Sequence, residues 1–371
     1  MRYIYQHSNW PTFSWDYEAL LSTLGKVRNL EGQLKGQMTN LGFKLKDEAN
    51  LETVTLDVLK STEIEGEFLN PEQVRSSVAR HLGLKISGLV PSDRNVDGVV
   101  EMMLDALTRH ELPLTKERLF NWHSSLFPAG RNGMYKIVIG NWRDDVTGPM
   151  QVVSGAMGKE KVHFEAQAAI FLDQEMEKFI SWFNAKDLLD PVLKAAIAHF
   201  WFVTIHPFDD GNGRIARAIA DMQLSKADDS TQRFYSMSAQ IRVERKQYYE
   251  ILERTQKGNL DITEWLLWFL NCLSNSLNAS KQTLSKVLFK AKFWKTHAIA
   301  SLNERQRLLT NKVLDGFDGK LTTSKYAKIS KCSADTALRD IQDLINKEVL
   351  QKEKGGGRST SYELKQIDVN Q

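Results

Sequence analysis

Residues 206–217 read His206-Pro207-Phe208-Asp209-Asp210-Gly211-Asn212-Gly213-Arg214-Ile215-Ala216-Arg217. Because proline disfavours helical conformation in the residue before it, we expect the apolar helix over residues 190–205 to end at His206. Glycines on both sides of Asn212 allow the backbone to approach a ligand closely. The next helix is predicted to begin at about Gly213, with its first N–H groups pointing into the loop. This stretch therefore predicts two central helices joined by a loop that can bind a ligand.

The loop has the chemistry of a phosphate site. N–H groups at a helix N-terminus attract anions. Arg214 and Arg217 are three residues apart, hence on one helix face, and their forked donors can bracket a di- or triphosphate. Asp210 would repel a phosphate unless a divalent cation lay between them, so it is the candidate ligand for Mg²⁺. The imidazole of His206, with an ordinary pKa of about 6.5, can accept a proton near neutral pH.

Each of these residues also has a purely structural interpretation. His206 could be a packing residue at a helix end, residues 211–213 could form a tight turn, and Asp210 with the arginines could form surface ion pairs. A base, a carboxylate, two glycines and two arginines on one face within a single short stretch favour a nucleotide site over that combination. Phe208 is assigned to the core, where it would anchor the loop.

The stretch matches HxFx(D/E)GNGRxxR at each position, and the chain therefore resembles the Fic-domain family, whose signature this is. The resemblance implies a mainly α-helical Fic-type core and a protein adenylyltransferase. Such an enzyme transfers AMP from ATP, with Mg²⁺, to a Ser, Thr or Tyr hydroxyl of a target protein or of itself, and releases pyrophosphate. It assigns His206 as the general base and Asp210 as the Mg²⁺ ligand. It assigns ATP phosphate binding to Gly211, Asn212, Gly213, Arg214 and Arg217.

Two further segments resemble parts of that family. Residues 135–139 and 150–164 carry β-branched and aromatic side chains among glycines and predict a β-hairpin or two short strands. Residues 150–164 lie where the family has a flap hairpin that pairs with the target main chain, which assigns target docking to Lys161, Val162, His163 and Phe164; a purely structural hairpin is the alternative. Tyr248, Tyr249 and Gln256 resemble positions that line the adenine pocket, although a tyrosine pair in a helix is also typical of a core.

A second motif lies upstream and reads Ser61-Thr62-Glu63-Ile64-Glu65-Gly66. It ends a helix predicted from about residue 51, with Gly66 suited to cap its C-terminus. A carboxylate in a last helical turn opposes the helix dipole, so Glu65 would gain from a facing cation such as Arg217. The stretch resembles the family's inhibitory motif, (S/T)xxxE(G/N), with Ser61, Glu65 and Gly66 at its defined positions. The resemblance implies autoinhibition, in which Glu65 pairs with Arg217 and blocks the γ-phosphate; a solvated helix end is the alternative.

Apolar periodicity predicts a mainly helical body, and the resemblance together with the change of pattern after residue 300 implies three domains. An N-terminal helical extension would cover residues 1–105 and include the inhibitory helix at about 51–66, as well as a helix that begins at Pro71 after an Asn70 cap. A Fic-type core with the small hairpin would cover 106–290. Residues 300–367 outline a winged-helix domain, since three predicted helices (303–315, 322–329 and 333–347) precede two strands (349–352 and 360–364) around a Gly355-Gly356-Gly357 tip.

The C-terminal domain is basic, because residues 281–371 hold 18 Lys and Arg against 10 Asp and Glu. With residues 333–347 as a recognition helix, DNA phosphates could be met by Lys331, Arg339, Lys352, Lys354 and Arg358. The alternative function is therefore a DNA-binding regulator with a secondary or altered nucleotide-transfer activity. Winged helices also serve as protein-contact or dimer modules. The intact motif at residues 206–217 favours the enzyme over the DNA-binding regulator.

Composition limits the remaining classes. The 371 residues are 42% hydrophobic and 26% charged, which is ordinary for a soluble globular protein. Cys272 and Cys332 share no short spacing and form neither a disulfide framework nor a zinc site. The N-terminus lacks the apolar stretch of a signal peptide, and the most apolar segment, residues 193–205, is too short to span a bilayer. Composition thus predicts a cytoplasmic protein without a membrane segment. The N-terminal 110 residues, which begin near Trp10-Pro11-Thr12-Phe13-Ser14-Trp15-Asp16, resemble an extension of many bacterial Fic proteins, and this resemblance implies a bacterial enzyme that forms a homodimer.

Overall fold

The computed structural model describes residues 3–39, 42–86, 88–132, 135–146, 148–155, 159, 161–186, 188–296, 302–316, 319–353 and 360–365. Over these ranges the chain forms fourteen α-helices and six short β-strands, so the mainly α-helical class is confirmed. The chain divides into two compact units. The first comprises Met1–Lys85 and Leu89–Lys281, and the second comprises Ile86–Gly88 and Gln282–Gln371. No helix within the described ranges is both long and apolar enough to cross a lipid bilayer.

Within the described residues, the first five α-helices belong to the first unit. They are α1 (Tyr17–Thr39), α2 (Phe43–Ile64), α3 (Pro71–His81), α4 (Arg94–Thr108) and α5 (Lys116–Leu126). The start of α3 lies at the predicted cap, because the Asn70 side chain accepts hydrogen bonds from the N–H groups of Glu72 and Gln73 at 2.9 and 3.1 Å. Helix α2, which corresponds to the predicted inhibitory helix, begins at Phe43, ahead of the predicted start near residue 51.

Two central helices determine the position of the site. These are α7 (Pro191–Ile205) and α8 (Asn212–Asp228), which pack along one another. Every residue of α7 after Pro191 is buried, as expected of a helix that is apolar on all sides. Phe208, in the loop between the two helices, is fully buried as assigned. The neighbouring helices are α6 (Leu172–Asn184), α9 (Met237–Val243), α10 (Arg245–Gln256) and α11 (Thr263–Thr296).

The strands of the first unit form two antiparallel hairpins. β1 (Arg131–Asn132) pairs with β2 (Tyr135–Lys136), and β3 (Gln151–Ser154) pairs with β4 (Lys161–Glu165). The β3–β4 hairpin is the one predicted within residues 150–164. Its register shifts between Val152 and Val153, as in a β-bulge. The strand expected over residues 135–139 is limited to Tyr135–Lys136, because Ile137 and Val138 leave the ladder and Val138 bonds to a loop carboxylate instead.

The second unit has the predicted order of elements. It contains α12 (Glu304–Asp315), α13 (Thr323–Ile329), α14 (Ala334–Asn346), β5 (Leu350–Lys352) and β6 (Tyr362–Leu364), with the two strands antiparallel. Its core includes Leu309, Tyr326, Ile341, Leu344 and Tyr362. The predicted glycine tip, Gly355-Gly356-Gly357, and the wing residues Lys354 and Arg358 lie outside the described residues. The assignment of this unit as a winged helix stays a prediction.

Candidate functional site

His206 lies at the C-terminus of α7 in a left-handed backbone conformation, with φ 54° and ψ 59°. Its ring Nδ1 donates a hydrogen bond to the carbonyl oxygen of Val203 at 3.2 Å. A carbonyl oxygen only accepts, so the proton of the neutral ring is on Nδ1 and Nε2 is the accepting nitrogen. Burial lowers the pKa of His206 to about 4. His206 is therefore a neutral base at pH 7.

Arg143 fixes the main chain around His206. Its Nε donates to the carbonyl oxygen of His206 at 2.8 Å, and its main-chain N–H donates to the carbonyl oxygen of Pro207 at 2.9 Å. Its Nη1 is paired with Asp145 at 2.7 Å, and its side chain is fully buried. The sequence analysis did not find this residue, because Arg143 is far from the motif in sequence and lies in a segment without regular structure.

The interior of the loop is held by Asn212 and Phe208. The Asn212 side chain accepts from the Phe208 N–H at 3.0 Å and donates to the Phe208 carbonyl oxygen at 2.7 Å. The side-chain amide predicted to bind phosphate is thus engaged within the loop, which leaves that contact to the main chain of Asn212. The Phe208 ring stacks on His123, with 4.2 Å between ring centroids. His123 was not found from the sequence, and burial lowers its pKa to about 4.

Asp210 is the one motif carboxylate close to Arg214, and it is partly exposed. Its Oδ1 lies 3.7 Å from Nη2 of Arg214, and its Oδ2 accepts a hydrogen bond from the Asn132 side chain. Within the described ranges no group of three or more His, Cys, Asp or Glu could hold a metal ion. Mg²⁺ bound to a nucleotide usually takes one or two protein carboxylates and otherwise phosphate and water oxygens. A single accessible Asp210 fits that mode of binding.

The N-terminus of α8 is occupied by a carboxylate of the protein itself. A Cβ atom at Gly213 would lie 2.4 Å from Oε1 of Glu65, so only a glycine leaves room for this carboxylate. Oε1 of Glu65 also lies 2.7 Å from Nη2 of Arg217. Although burial alone would raise the pKa of Glu65, Arg217 lowers it below its usual value. Glu65 is therefore an ionised group that occupies the predicted anion site.

Both arginines of the motif are almost fully buried, and each has a carboxylate partner from the end of α2. Arg217 also donates to the side chain and the carbonyl oxygen of Ser61, at 3.0 and 2.9 Å. Arg214 pairs with Glu67 at 2.8 Å and lies over the ring of Phe127. The structure thus brings together Ser61, Glu65 and both arginines. Of these contacts, only the pair of Glu65 with Arg217 was predicted; the contacts of Ser61 and of Glu67 were not found from the sequence.

The residues predicted to line an adenine pocket differ in their surroundings. The Tyr249 hydroxyl donates to Glu65 at 3.2 Å, and burial raises its pKa to about 12. Tyr248 is buried, with its hydroxyl 2.9 Å from Nε2 of His199. Gln256 is also buried and donates to the Thr204 hydroxyl at 3.2 Å. Tyr249 is therefore next to Glu65, while Tyr248 belongs to the core.

The four flap residues are not equivalent. Lys161 and Val162 are exposed on β4. Phe164 is fully buried, with its ring edge-on to Tyr3 and Tyr5. His163 bonds to the Ser154 hydroxyl and to the Glu253 carboxylate, each at 2.6 Å. Lys161 and Val162 are thus accessible on β4, whereas His163 and Phe164 attach the hairpin to the rest of the first unit.

The fold and the loop define a helical domain in which a histidine ends one helix, and two buried arginines at the start of the next helix are paired with carboxylates. Residues 113–224 match the sequence model of the Fic/DOC family, and the chain therefore contains a Fic/DOC domain. Residues 3–84, which include α2, match a domain of unknown function, DUF4172.

Known proteins resemble the chain over different lengths. "Protein adenylyltransferase Fic" of Nematostella vectensis is 33% identical over 110 residues, 29% of this chain and 24% of the relative. "Protein adenylyltransferase fic-1" of Caenorhabditis briggsae is 29% identical over 178 residues, 47% of this chain and 32% of the relative. The chain thus spans about a quarter to a third of the length of these relatives. A solved Fic family protein from Desulfovibrio desulfuricans G20 shares the fold, with a TM-score of 0.53, 19% identity, and coverage of 95% of this chain and 98% of that chain.

Proposed function

We propose that this chain is a protein adenylyltransferase that transfers AMP from ATP to a Ser, Thr or Tyr hydroxyl of a target protein and of itself. The observation that carries the proposal is the loop after α7. It holds a neutral His206 within a few residues of a helix N-terminus and two buried arginines. The adenylyltransferases whose sequences it resembles support the same reaction over the matching segment.

His206 accepts the proton of the target hydroxyl at Nε2, the ring nitrogen that carries no proton. The hydroxyl oxygen then forms a bond to the α-phosphorus of ATP. The bond from that phosphorus to the oxygen bridging to the β-phosphate breaks, and pyrophosphate leaves. Such a transfer needs positioning and neutralisation of charge more than covalent catalysis, and a fixed loop provides the positioning.

The phosphates would be bound by the start of α8. The first main-chain N–H groups of α8, those of Asn212 and Gly213, lie at the helix N-terminus, while the Gly211 N–H donates to Oδ1 of Asp210. Arg214 and Arg217 supply two charges on one face. Asp210 would hold Mg²⁺, which would neutralise charge on the phosphates when it is bound. Tyr249 and Gln256 would lie on the adenine side.

Glu65 keeps the resting protein inactive. Its carboxylate occupies the space over Gly213 and is bonded to Arg217 at 2.7 Å. A nucleotide phosphate cannot bind the same arginine and helix end while the carboxylate is there. Ser61 supports this state through its two hydrogen bonds to Arg217.

The remaining parts of the proposal concern partners. The target would add its main chain to the β3–β4 hairpin next to Lys161 and Val162, as a strand added to a sheet edge. A homodimer and a cytoplasmic location follow from the resemblance, and two cysteines that form no disulfide agree with a reducing compartment.

The test is incubation of wild type, Glu65→Gly and His206→Ala with Mg²⁺ and ATP labelled on either the α- or the γ-phosphate. Intact-protein mass spectrometry then gives the mass of any adduct. We expect an AMP-sized adduct that carries the α-label, is strongest in Glu65→Gly and is absent in His206→Ala. Glu63→Gln is the matched control for Glu65, because Glu63 pairs with Lys60 rather than with a motif arginine.

A phosphate-sized adduct that carries the γ-label would contradict the proposal and indicate a kinase. Equal yields from wild type and Glu65→Gly would contradict the inhibitory role of Glu65 and leave the reaction itself supported.

A further inference from the structure

Arg214 is blocked in the resting protein as well as Arg217. Oε2 of Glu67 lies 2.8 Å from Nη1 of Arg214, whose side chain is 2% exposed. Arg214 belongs to the same helix face as Arg217, and Glu67 follows Glu65 by two residues. Two carboxylates at the end of α2 therefore face two arginines at the start of α8.

The backbone at the end of α2 places both carboxylates. Gly66 has a φ of +86°, its N–H bonds to the carbonyl oxygen of Glu63, and the N–H of Glu67 bonds to the carbonyl oxygen of Thr62, both at 3.1 Å. This is the hydrogen-bond pattern of a Schellman motif. It fixes Glu65 as the last residue of the helical turn and Glu67 as the first residue beyond the glycine. The position of Glu67 is thus set by the helix end rather than by a free loop.

Arg214 has donors that no carboxylate satisfies. Its Nε and Nη2 are buried and have no hydrogen-bond partner within the described part of the chain, and Nη2 approaches Asp210 only to 3.7 Å. A buried guanidinium with unsatisfied donors is costly, and the oxygens of a polyphosphate would satisfy them. Glu67, which is bonded to Nη1, and a nucleotide phosphate are both anions, and they would compete for the single charge of this guanidinium.

We propose that Glu67 is a second inhibitory carboxylate, which keeps Arg214 from a nucleotide phosphate while Glu65 does the same at Arg217. The proposal rests on the proposed nucleotide site and concerns its regulation. Removal of Glu65 alone frees Arg217 and the helix end but leaves Arg214 paired. Full access of the polyphosphate requires that both carboxylates leave.

The test compares ATP binding by Glu65→Gly and by the double variant Glu65→Gly with Glu67→Gln. Calorimetric titration with Mg²⁺ and ATP gives the dissociation constant, and the rate of AMP adduct formation against ATP concentration gives KM and kcat. We expect the double variant to bind ATP about fivefold more tightly or better, because a charged hydrogen-bonded partner of Arg214 has been removed. KM for ATP falls by the same factor, and kcat stays within about twofold, since Glu67 acts through binding.

Two controls separate this effect from a general change of charge. Arg214 and Arg217 would contact the β- and γ-phosphates of ATP, which AMP lacks. The dissociation constant of AMP should therefore be the same with and without Glu67→Gln in the Glu65→Gly background. Glu63→Gln in the Glu65→Gly background removes the same charge from the same helical turn, and it should leave ATP binding unchanged.

Equal ATP dissociation constants in the two variants would overturn the inference. So would an equal gain from Glu63→Gln, or an equal gain for AMP. Absence of any adduct in every variant would refute the transferase activity, and the ATP dissociation constants would still decide the role of Glu67.

Discussion

At the scale of single residues, His206 is held by two partners that act on different atoms. The guanidinium of Arg143 binds its carbonyl oxygen, and the carbonyl oxygen of Val203 binds Nδ1 of the ring. The first contact stabilises a left-handed backbone that is unfavourable for most residues, and the second selects the tautomer. The ring is therefore ready to accept a proton at Nε2 before any substrate arrives.

This arrangement gives a pH prediction. Because burial lowers the pKa of His206 to about 4, below an ordinary value of about 6.5, the folded protein keeps the base neutral throughout the weakly acidic range. We expect kcat/KM for adduct formation by Glu65→Gly to stay level from about pH 8 to about pH 6, and to fall only as pH approaches the lowered pKa. The measurement is the initial rate at each pH with circular dichroism of the same samples.

The lowered pKa of His206 also affects the stability of the fold, and this effect has to be separated from titration of the base. A histidine with a lowered pKa stabilises the fold above the unfolded value and loses that contribution as pH falls towards the folded value. Loss of activity together with loss of helical signal would therefore report unfolding rather than titration of the base. A half-maximal rate near pH 6.5 with an intact helical signal would contradict the prediction.

At the scale of elements, α2 and α3 end in the same way. Gly66 ends α2 with a φ of +86°, and Gly83 ends α3 with a φ of +69°. At Gly83 the N–H bonds back to Arg80, and the next N–H bonds to Ala79, which repeats the pattern found at Gly66. Neither glycine has a neighbouring atom that an added Cβ would meet. An alanine at either position would thus be unfavourable only because of the left-handed backbone conformation, and not because of a steric clash.

We expect Gly66→Ala to activate the protein and Gly83→Ala to leave it inactive. An alanine in a left-handed conformation costs about 1–2 kcal/mol, so both variants should lose a similar free energy of unfolding in denaturant titration. Only Gly66 positions Glu65 and Glu67, so only its substitution should raise the yield of AMP adduct. Equal activation by both variants would mean that general loosening, and not displacement of the carboxylates, relieves inhibition.

Much of this site could be predicted from the sequence because its signals are local. The loop after α7 carries its base, glycines and arginines within one stretch, and the end of α2 carries Glu65 next to its capping glycine. Arg143, His123 and Glu67 could not be found in that way, since each acts through a contact with a distant segment. Asn212 is the reverse case. The motif assigns it to phosphate binding, but its side chain is bonded to the main chain of Phe208 and holds the loop itself.

At the scale of the whole molecule, the C-terminal segment is basic. The exposed side of its proposed recognition helix, however, has little net charge. The most exposed side chains of α14, all of it described, include Asp335, Leu338, Arg339 and Gln342. One acidic and one basic residue nearly cancel, and Leu338 is 51% exposed. DNA binding draws its affinity mainly from cations that meet phosphates, whereas a mixed face with an exposed leucine suits a protein contact.

We therefore expect the full chain to bind duplex DNA only weakly, with a dissociation constant no tighter than about 1 μM near physiological salt and without sequence preference. Fluorescence anisotropy across a salt series measures both the affinity and its dependence on salt. His206→Ala serves as the control, because it removes the proposed base for AMP transfer and leaves the basic segment unchanged. Nanomolar, sequence-selective binding that persists in His206→Ala and is lost in Arg339→Ala would contradict this expectation. That result would make DNA the partner of the second unit and would favour a regulator in which nucleotide transfer is secondary.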